Sequence, residues 1–311
     1  MTVARTALTS RYRRATRALL ASAGAAALAG AAARGAEAPA APSDEYPIEI
    51  TERLVFVDAT VNGKAGQRFI VDTGASETIV HPRLAAETGI LGLPVSPDYR
   101  RGDAASIAVG AAEVAPLTVF IGDPVQALPL RLNKGVDYQG ILGYTFLSHF
   151  NVTIDYPRKR IRFEPRDPAR PRAGRPPSAP APSGAATPAI VVPFTVQGGQ
   201  VYAHGKVNGA GPITFIVDTG SAEVLLLPDS ARRVPLGLPP FAGKYGPAFA
   251  LARDVSLGGA AATNVPLVIH AHFDENPLSS PYDGILGTPF LANFEVTFRY
   301  RDQKLLLRSP P

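Results

Sequence analysis

Two aspartates in this 311-residue chain sit in nearly identical surroundings: Phe69-Ile70-Val71-Asp72-Thr73-Gly74 recurs letter for letter as Phe215-Ile216-Val217-Asp218-Thr219-Gly220. In each copy three large apolar residues run straight into a carboxylate, and a buried strand rarely ends on an acid unless the acid has a use. If two such strand ends meet at a pseudo-two-fold axis, Asp72 and Asp218 come to lie about 3 Å apart, where both cannot ionise comfortably. One keeps its proton. The charged partner then takes a proton from a water held between them while the protonated partner donates to a substrate carbonyl, which is general acid and base catalysis by two identical side chains. Such a pair titrates as a unit, and neither residue owns a pKa.

The neighbouring residues suit that chemistry. Gly74 and Gly220 let the backbone turn tightly and approach the carboxylates with no side chain in the way. Thr73 and Thr219 carry hydroxyls able to hydrogen-bond across an interface between the two halves and hold the loops at a fixed separation. The apolar strands leading in keep the carboxyls stiff and partly desolvated.

The repetition extends well beyond the aspartates. At the same offset of 146, Val61-Asn62-Gly63 matches Val207-Asn208-Gly209, Glu77 matches Glu223, and Pro82 matches Pro228. At an offset of 144, Gly140-Ile141-Leu142-Gly143 recurs as Gly284-Ile285-Leu286-Gly287, with Phe146, Phe150, Val152-Thr153 and Tyr156 falling on Phe290, Phe294, Val296-Thr297 and Tyr300. Two copies of one fold with loops of different length are expected: lobe one over 44–165 and lobe two over 188–309. Residues 166–187 between them are rich in proline, alanine and arginine, cannot build a core and read as an extended linker. Short strands broken by glycine and proline dominate each lobe, with Asn-Gly hairpin turns at 62–63 and 208–209. Helices are expected only over Pro82 to Thr88, Thr145 to His149 and Pro289 to Asn293, so the architecture is mostly β.

Hydrophobic-hydrophobic-Asp-Thr-Gly-Ala/Ser, followed some 65 residues later by Gly-Ile-Leu-Gly, resembles the aspartic peptidases, and specifically the retropepsin-like bacterial group. The resemblance implies two homologous acid-protease lobes, each a retropepsin-like closed β-barrel, in a pseudo-two-fold bilobal arrangement within one chain. It makes Asp72 and Asp218 the catalytic pair of an endopeptidase and gives Thr73, Gly74, Ala75, Thr219, Gly220 and Ser221 the support of the active-site loops. Ile141-Leu142-Gly143 and Ile285-Leu286-Gly287 become the segments that thread behind those loops. Ala75 follows the retropepsin form, while Ser221 follows the pepsin form and is placed to hydrogen-bond its carboxylate. Tyr99 and Tyr245, again 146 apart, fall where family members carry a mobile flap; an ordinary half-buried surface tyrosine is the competing reading. The arginine-rich stretch around Tyr99 departs from the glycine-rich flaps of retroviral members.

Composition narrows the remaining choices. Apolar content of 46% against 18% charged residues describes a globular chain. Residues 1–38 combine arginines 5, 11, 13, 14 and 17 with an alanine-rich apolar run from Ala18 to Ala33, the layout of an export signal. That run is too short and too weakly apolar for a confident membrane span, so a cleaved leader and a periplasmic or secreted protein are expected, with a retained anchor as the alternative and Sec or twin-arginine export both open. The leader holds six arginines and one glutamate, so the chain without it is formally neutral and the overall +5 gives no reason to expect nucleic acid. The lack of cysteine excludes disulfides, thiolate metal sites and a cysteine nucleophile. His270-Ala271-His272-Phe273-Asp274 resembles part of a metal-binding motif, but Glu275 stands where a histidine should follow; no metal and no cofactor is expected. The expected partner is a peptide or protein substrate, bound by a monomer whose lobes form an intramolecular pseudo-dimer. Rival readings are a non-catalytic peptide-binding relative, lobes that pair with another chain, and a structural envelope module.

Overall fold

Strand pairing in this chain follows from hairpins whose turns the sequence dictates. The computed structural model describes residues 45–124, 137–165, 188–237, 247–270 and 282–310; the expected leader and the expected linker lie outside the described residues. Leu54–Val61 and Lys64–Val71 form an antiparallel hairpin, joined through Asn62 at φ 46° and Gly63 at φ 83°. Two consecutive left-handed residues make the two-residue turn that matches strand twist. Gln200–Val207 and Ala210–Val217 repeat the construction through Asn208 at φ 49° and Gly209 at φ 79°.

Alternation then sorts the side chains. Phe69 and Val71 enter the main core, whereas Ile70 joins a smaller apolar cluster on the opposite face. Lobe two repeats the division with Phe215 and Val217 against Ile216. Gly140–Leu142 runs parallel to the Asp72 strand, with Ile141 opposite Ile70, and antiparallel to Ile79–Val80. Gly284–Leu286 does the same between Ala210–Val217 and Val224–Leu226.

Lobe two is a closed six-stranded barrel: beyond Val224–Leu226 come Ala260–Ile269 and Ala248–Leu257, and the latter pairs back onto Gln200–Val207. Lobe one follows the same path with its two long outer strands each broken in two, as Arg100–Ala104 with Ile107–Val109 and Ala112–Val114 with Leu117–Ile121. The protein is mostly β and bilobal, and a six-stranded sheet spans the two lobes. Its order is Glu45–Pro47, Arg160–Pro165, Phe150–Asp155, Glu295–Arg299, Lys304–Arg308, Ile190–Pro193, so three strands come from each side. At its centre Thr153 faces Thr297 in register, their hydroxyls 2.9 Å apart.

Helices occupy Pro82–Glu87, Tyr144–Leu147, Pro228–Arg232 and Thr288–Leu291. Three match the sequence expectation. The helix at Pro228–Arg232 goes beyond that expectation; it is the counterpart of Pro82–Glu87 at the repeat offset and likewise opens on proline, a residue suited to a first helical turn.

Phe298 is fully buried in the sheet that joins the lobes, and Phe249 is 71% exposed. Phe298→Ala is expected to lower the unfolding free energy by about 3–5 kcal/mol in urea titrations, and Phe249→Ala to change it by less than about 0.5 kcal/mol.

Candidate active site

The two Asp-Thr-Gly loops meet at the junction of the lobes. Each aspartate is the first residue past its strand, and its amide donates to the carbonyl of the threading segment, Asp72 to Leu142 at 3.1 Å and Asp218 to Leu286 at 3.1 Å. Alternation turns both carboxyls away from the core, onto the face that carries Ile70 and Ile216. The threading segments also support the loops from behind, through Tyr144 N–H to Ala75 O at 2.8 Å and Thr288 N–H to Ser221 O at 2.9 Å. This approach demands glycine immediately before them: a Cβ on Gly143 or Gly287 would overlap the carbonyl of Glu77 or Glu223.

Thr73 and Thr219 lock the loops reciprocally. The Thr73 hydroxyl donates to Val217 O at 2.8 Å and accepts the Thr219 amide at 3.1 Å. The Thr219 hydroxyl donates to Val71 O at 2.7 Å and accepts the Thr73 amide at 3.1 Å. Both threonines are buried, so these four bonds face no competition from water. Gly74 and Gly220 complete the fit, since a Cβ on either would collide with the carboxyl carbon of the other lobe's aspartate.

The two carboxyls lie within hydrogen-bond reach of each other. Burial pushes both pKa values above the ordinary range. For Asp218 the charge of Asp72 and the hydrogen bond to it add to burial, and its pKa lies well above the usual value. For Asp72 the bond from Asp218 and the amides of Gly74 and Ala75 act against burial. Those amides reach Asp72 Oδ1 at 2.8 and 3.0 Å, whereas Asp218 Oδ1 takes the Gly220 amide at 2.7 Å. The pair therefore titrates as a unit and holds a proton above the ordinary carboxylate range, because burial and the partner's charge both oppose a second ionisation.

Ser221 departs from the sequence expectation. Its hydroxyl donates to Glu223 O at 3.0 Å, tightening the loop without touching the carboxylate. Tyr99 lies beside a tight turn between Gly92–Pro94 and Arg100–Ala104, half-buried, its ring edge-on to Phe120 with centroids 6.1 Å apart. It packs on the same apolar cluster as Ile70 and Ala75, and burial with Asp98 and Asp123 raises its pKa. Tyr245, His272 and Asp274 lie outside the described residues. Among the described residues no group of three or more ligand-type side chains could hold a metal ion. Two contacts escaped sequence reasoning: Gln200 Nε2 donates to Gly74 O at 2.9 Å and Arg53 to Ala222 O at 3.3 Å. Neither residue belongs to a repeated motif, so nothing in the sequence marks them.

Removing the Thr219 hydroxyl leaves a buried carbonyl and a buried amide without partners. Thr219→Val should therefore cost at least about 2 kcal/mol in chemical denaturation, with Thr219→Ser recovering most of it. The pH dependence has a definite sign. A carboxyl whose folded pKa exceeds its unfolded value holds its proton more tightly when folded, so its stabilisation is complete below the unfolded pKa and is lost as pH rises through the folded one. The wild-type melting temperature should therefore decline as pH rises above the ordinary carboxylate range, a decline that Asp218→Asn, which mimics the protonated acid, removes.

Residues 57–149 match the family model described as "gag-polyprotein putative aspartyl protease" and residues 203–290 the model described as "Aspartyl protease". Among solved structures, the aspartic proteinase from Irpex lacteus is similar at 11% sequence identity and a TM-score of 0.49, covering 85% of this chain and 96% of that one. No curated protein sequence matches the chain. The two aspartyl protease models together span more than half of the chain, each taking in one Asp-Thr-Gly loop and its threading segment, and the chain belongs to the retropepsin/pepsin-like aspartic peptidase family.

Proposed function

We propose that this protein is an aspartic endopeptidase that hydrolyses peptide bonds with a water activated between Asp72 and Asp218. The observation that carries the reading is the pair of buried carboxyls brought together from opposite lobes by loops that the threonines lock. Asp72, charged, accepts a proton from the water as its oxygen attacks the carbonyl carbon. Asp218 gives its proton to the carbonyl oxygen, which becomes a hydroxyl of the tetrahedral intermediate. Transfer of the proton gained by Asp72 to the amide nitrogen then lets the C–N bond break, and return of a hydroxyl proton to Asp218 restores the starting state.

Apolar residues flank the pair on the same face, Ile70, Ile79 and Ile141 in one lobe and Ile216, Leu225 and Ile285 in the other. They favour apolar side chains beside the cleaved bond. Both acids come from one chain, which supports a monomeric working unit. The arginine and alanine pattern of residues 1–38 supports action after export, in the periplasm or outside the cell.

Asp72→Asn and Asp218→Asn should each lower kcat by about 10²–10⁴-fold on any cleaved peptide, and kcat/KM should be bell-shaped in pH because one acid must be charged and the other protonated. Retained cleavage in either variant would defeat the assignment.

A further inference from the structure

Sheet register lines up one row of side chains across the cleft face of lobe one: Phe56, Ile70, Ile141, Ile79, Phe120 and, at its end, Arg101. The matching row of lobe two reads Tyr202, Ile216, Ile285, Leu225, Val268 and Phe249. The inner positions keep their apolar or aromatic character, but the outermost does not. A cation in lobe one gives way to a phenyl ring in lobe two.

Each row passes a glutamate three positions beyond its Asp-Thr-Gly glycine. Glu77 and Glu223 lie in the bends that lead into Ile79–Val80 and Val224–Leu226, next to Thr78 and Val224, which are fully buried. In lobe one the carboxyl has a counter-charge within the protein: burial raises the Glu77 pKa and the guanidinium of Arg101 opposes that rise. In lobe two Glu223 Oε2 is shut off from water and has no hydrogen-bond donor among the described residues. Phe249 and Leu251, on the cleft face of their strand, are 71% and 63% exposed.

A carboxylate oxygen without water or donor is costly, and neighbouring exposed apolar side chains are an unfilled surface. One occupant relieves both. The methylene stem of a lysine or arginine covers Phe249, where its cation also meets the ring face, and the cationic head bonds Glu223. We propose that the lobe-two side of the cleft selects a basic side chain in the substrate, with Glu223 as the specificity-determining residue and Phe249 as its platform, while the lobe-one side, where Arg101 already stands beside Glu77, does not. This rests on the peptidase reading above.

The test compares kcat/KM of the purified full-length protein on peptides that differ only by a lysine or a norleucine moved through the positions flanking the cleaved bond. Lysine should exceed norleucine by about tenfold or more at one position on one side of the bond. The ratio should fall to near one in Glu223→Gln and turn in favour of glutamate in Glu223→Lys, and Arg101→Gln should open a second lysine preference on the other side. Should Glu223→Gln fail to fold, Phe249→Ala carries the test, with a weakened lysine preference expected and an intact one overturning the proposal. A wild type that cleaves without this preference, or a preference that survives Glu223→Gln, overturns the inference and leaves the peptidase reading standing. A wild type that cleaves nothing sinks the peptidase reading instead. Fluorescence anisotropy with the same peptides then decides the inference: tighter lysine binding that Glu223→Gln abolishes supports it, and equal binding overturns it.

Discussion

Two carboxyl groups confined in contact and away from water repel unless one keeps its proton, and even then they stay together only if the backbone cannot relax apart. Everything near the site serves that confinement. The threonine hydroxyls tie each loop to the carbonyl that precedes the opposite aspartate, so a loop cannot withdraw without breaking buried bonds on both sides. The glycines let each loop close over the other's acid, and the threading segments hold both loops from behind.

The frame is nearly symmetric and the chemistry is not. Amides of Gly74 and Ala75 act on Asp72 and those of Gly220 and Gly74 on Asp218, while the charge of Asp72 adds to burial at Asp218. Symmetry fixes the separation of the acids. The same division recurs further out, where equivalent rows of cleft residues end on Arg101 in one lobe and Phe249 in the other.

The six-stranded sheet extends the confinement to the whole molecule. Three strands from each lobe form one hydrogen-bonded surface, with Thr153 and Thr297 meeting at its centre. Smaller clasps lie beside the loops themselves: Ser76 Oγ donates to Gly198 O at 2.5 Å, and Arg53, from the same lobe, donates to Ala222 O. Separation of the lobes would therefore require losing a sheet as well as a site.

Local identity carried much of this into the sequence. The repeated Asp-Thr-Gly and Gly-Ile-Leu-Gly segments, the Asn-Gly turns and the period-two apolar pattern are short-range properties, and short-range sterics and alternation determine the hairpins and which face each aspartate takes. Even the helix at Pro228–Arg232 was within reach, since its proline repeats Pro82. What the tertiary structure alone decided depends on distance between the halves. The Ser221 hydroxyl turns to its own loop, and Gln200 and Arg53 are recruited across the interface. These outcomes are set by which donors lie within about 3 Å of an acceptor after two lobes have packed, and residues far apart in the chain contain no local trace of that arrangement.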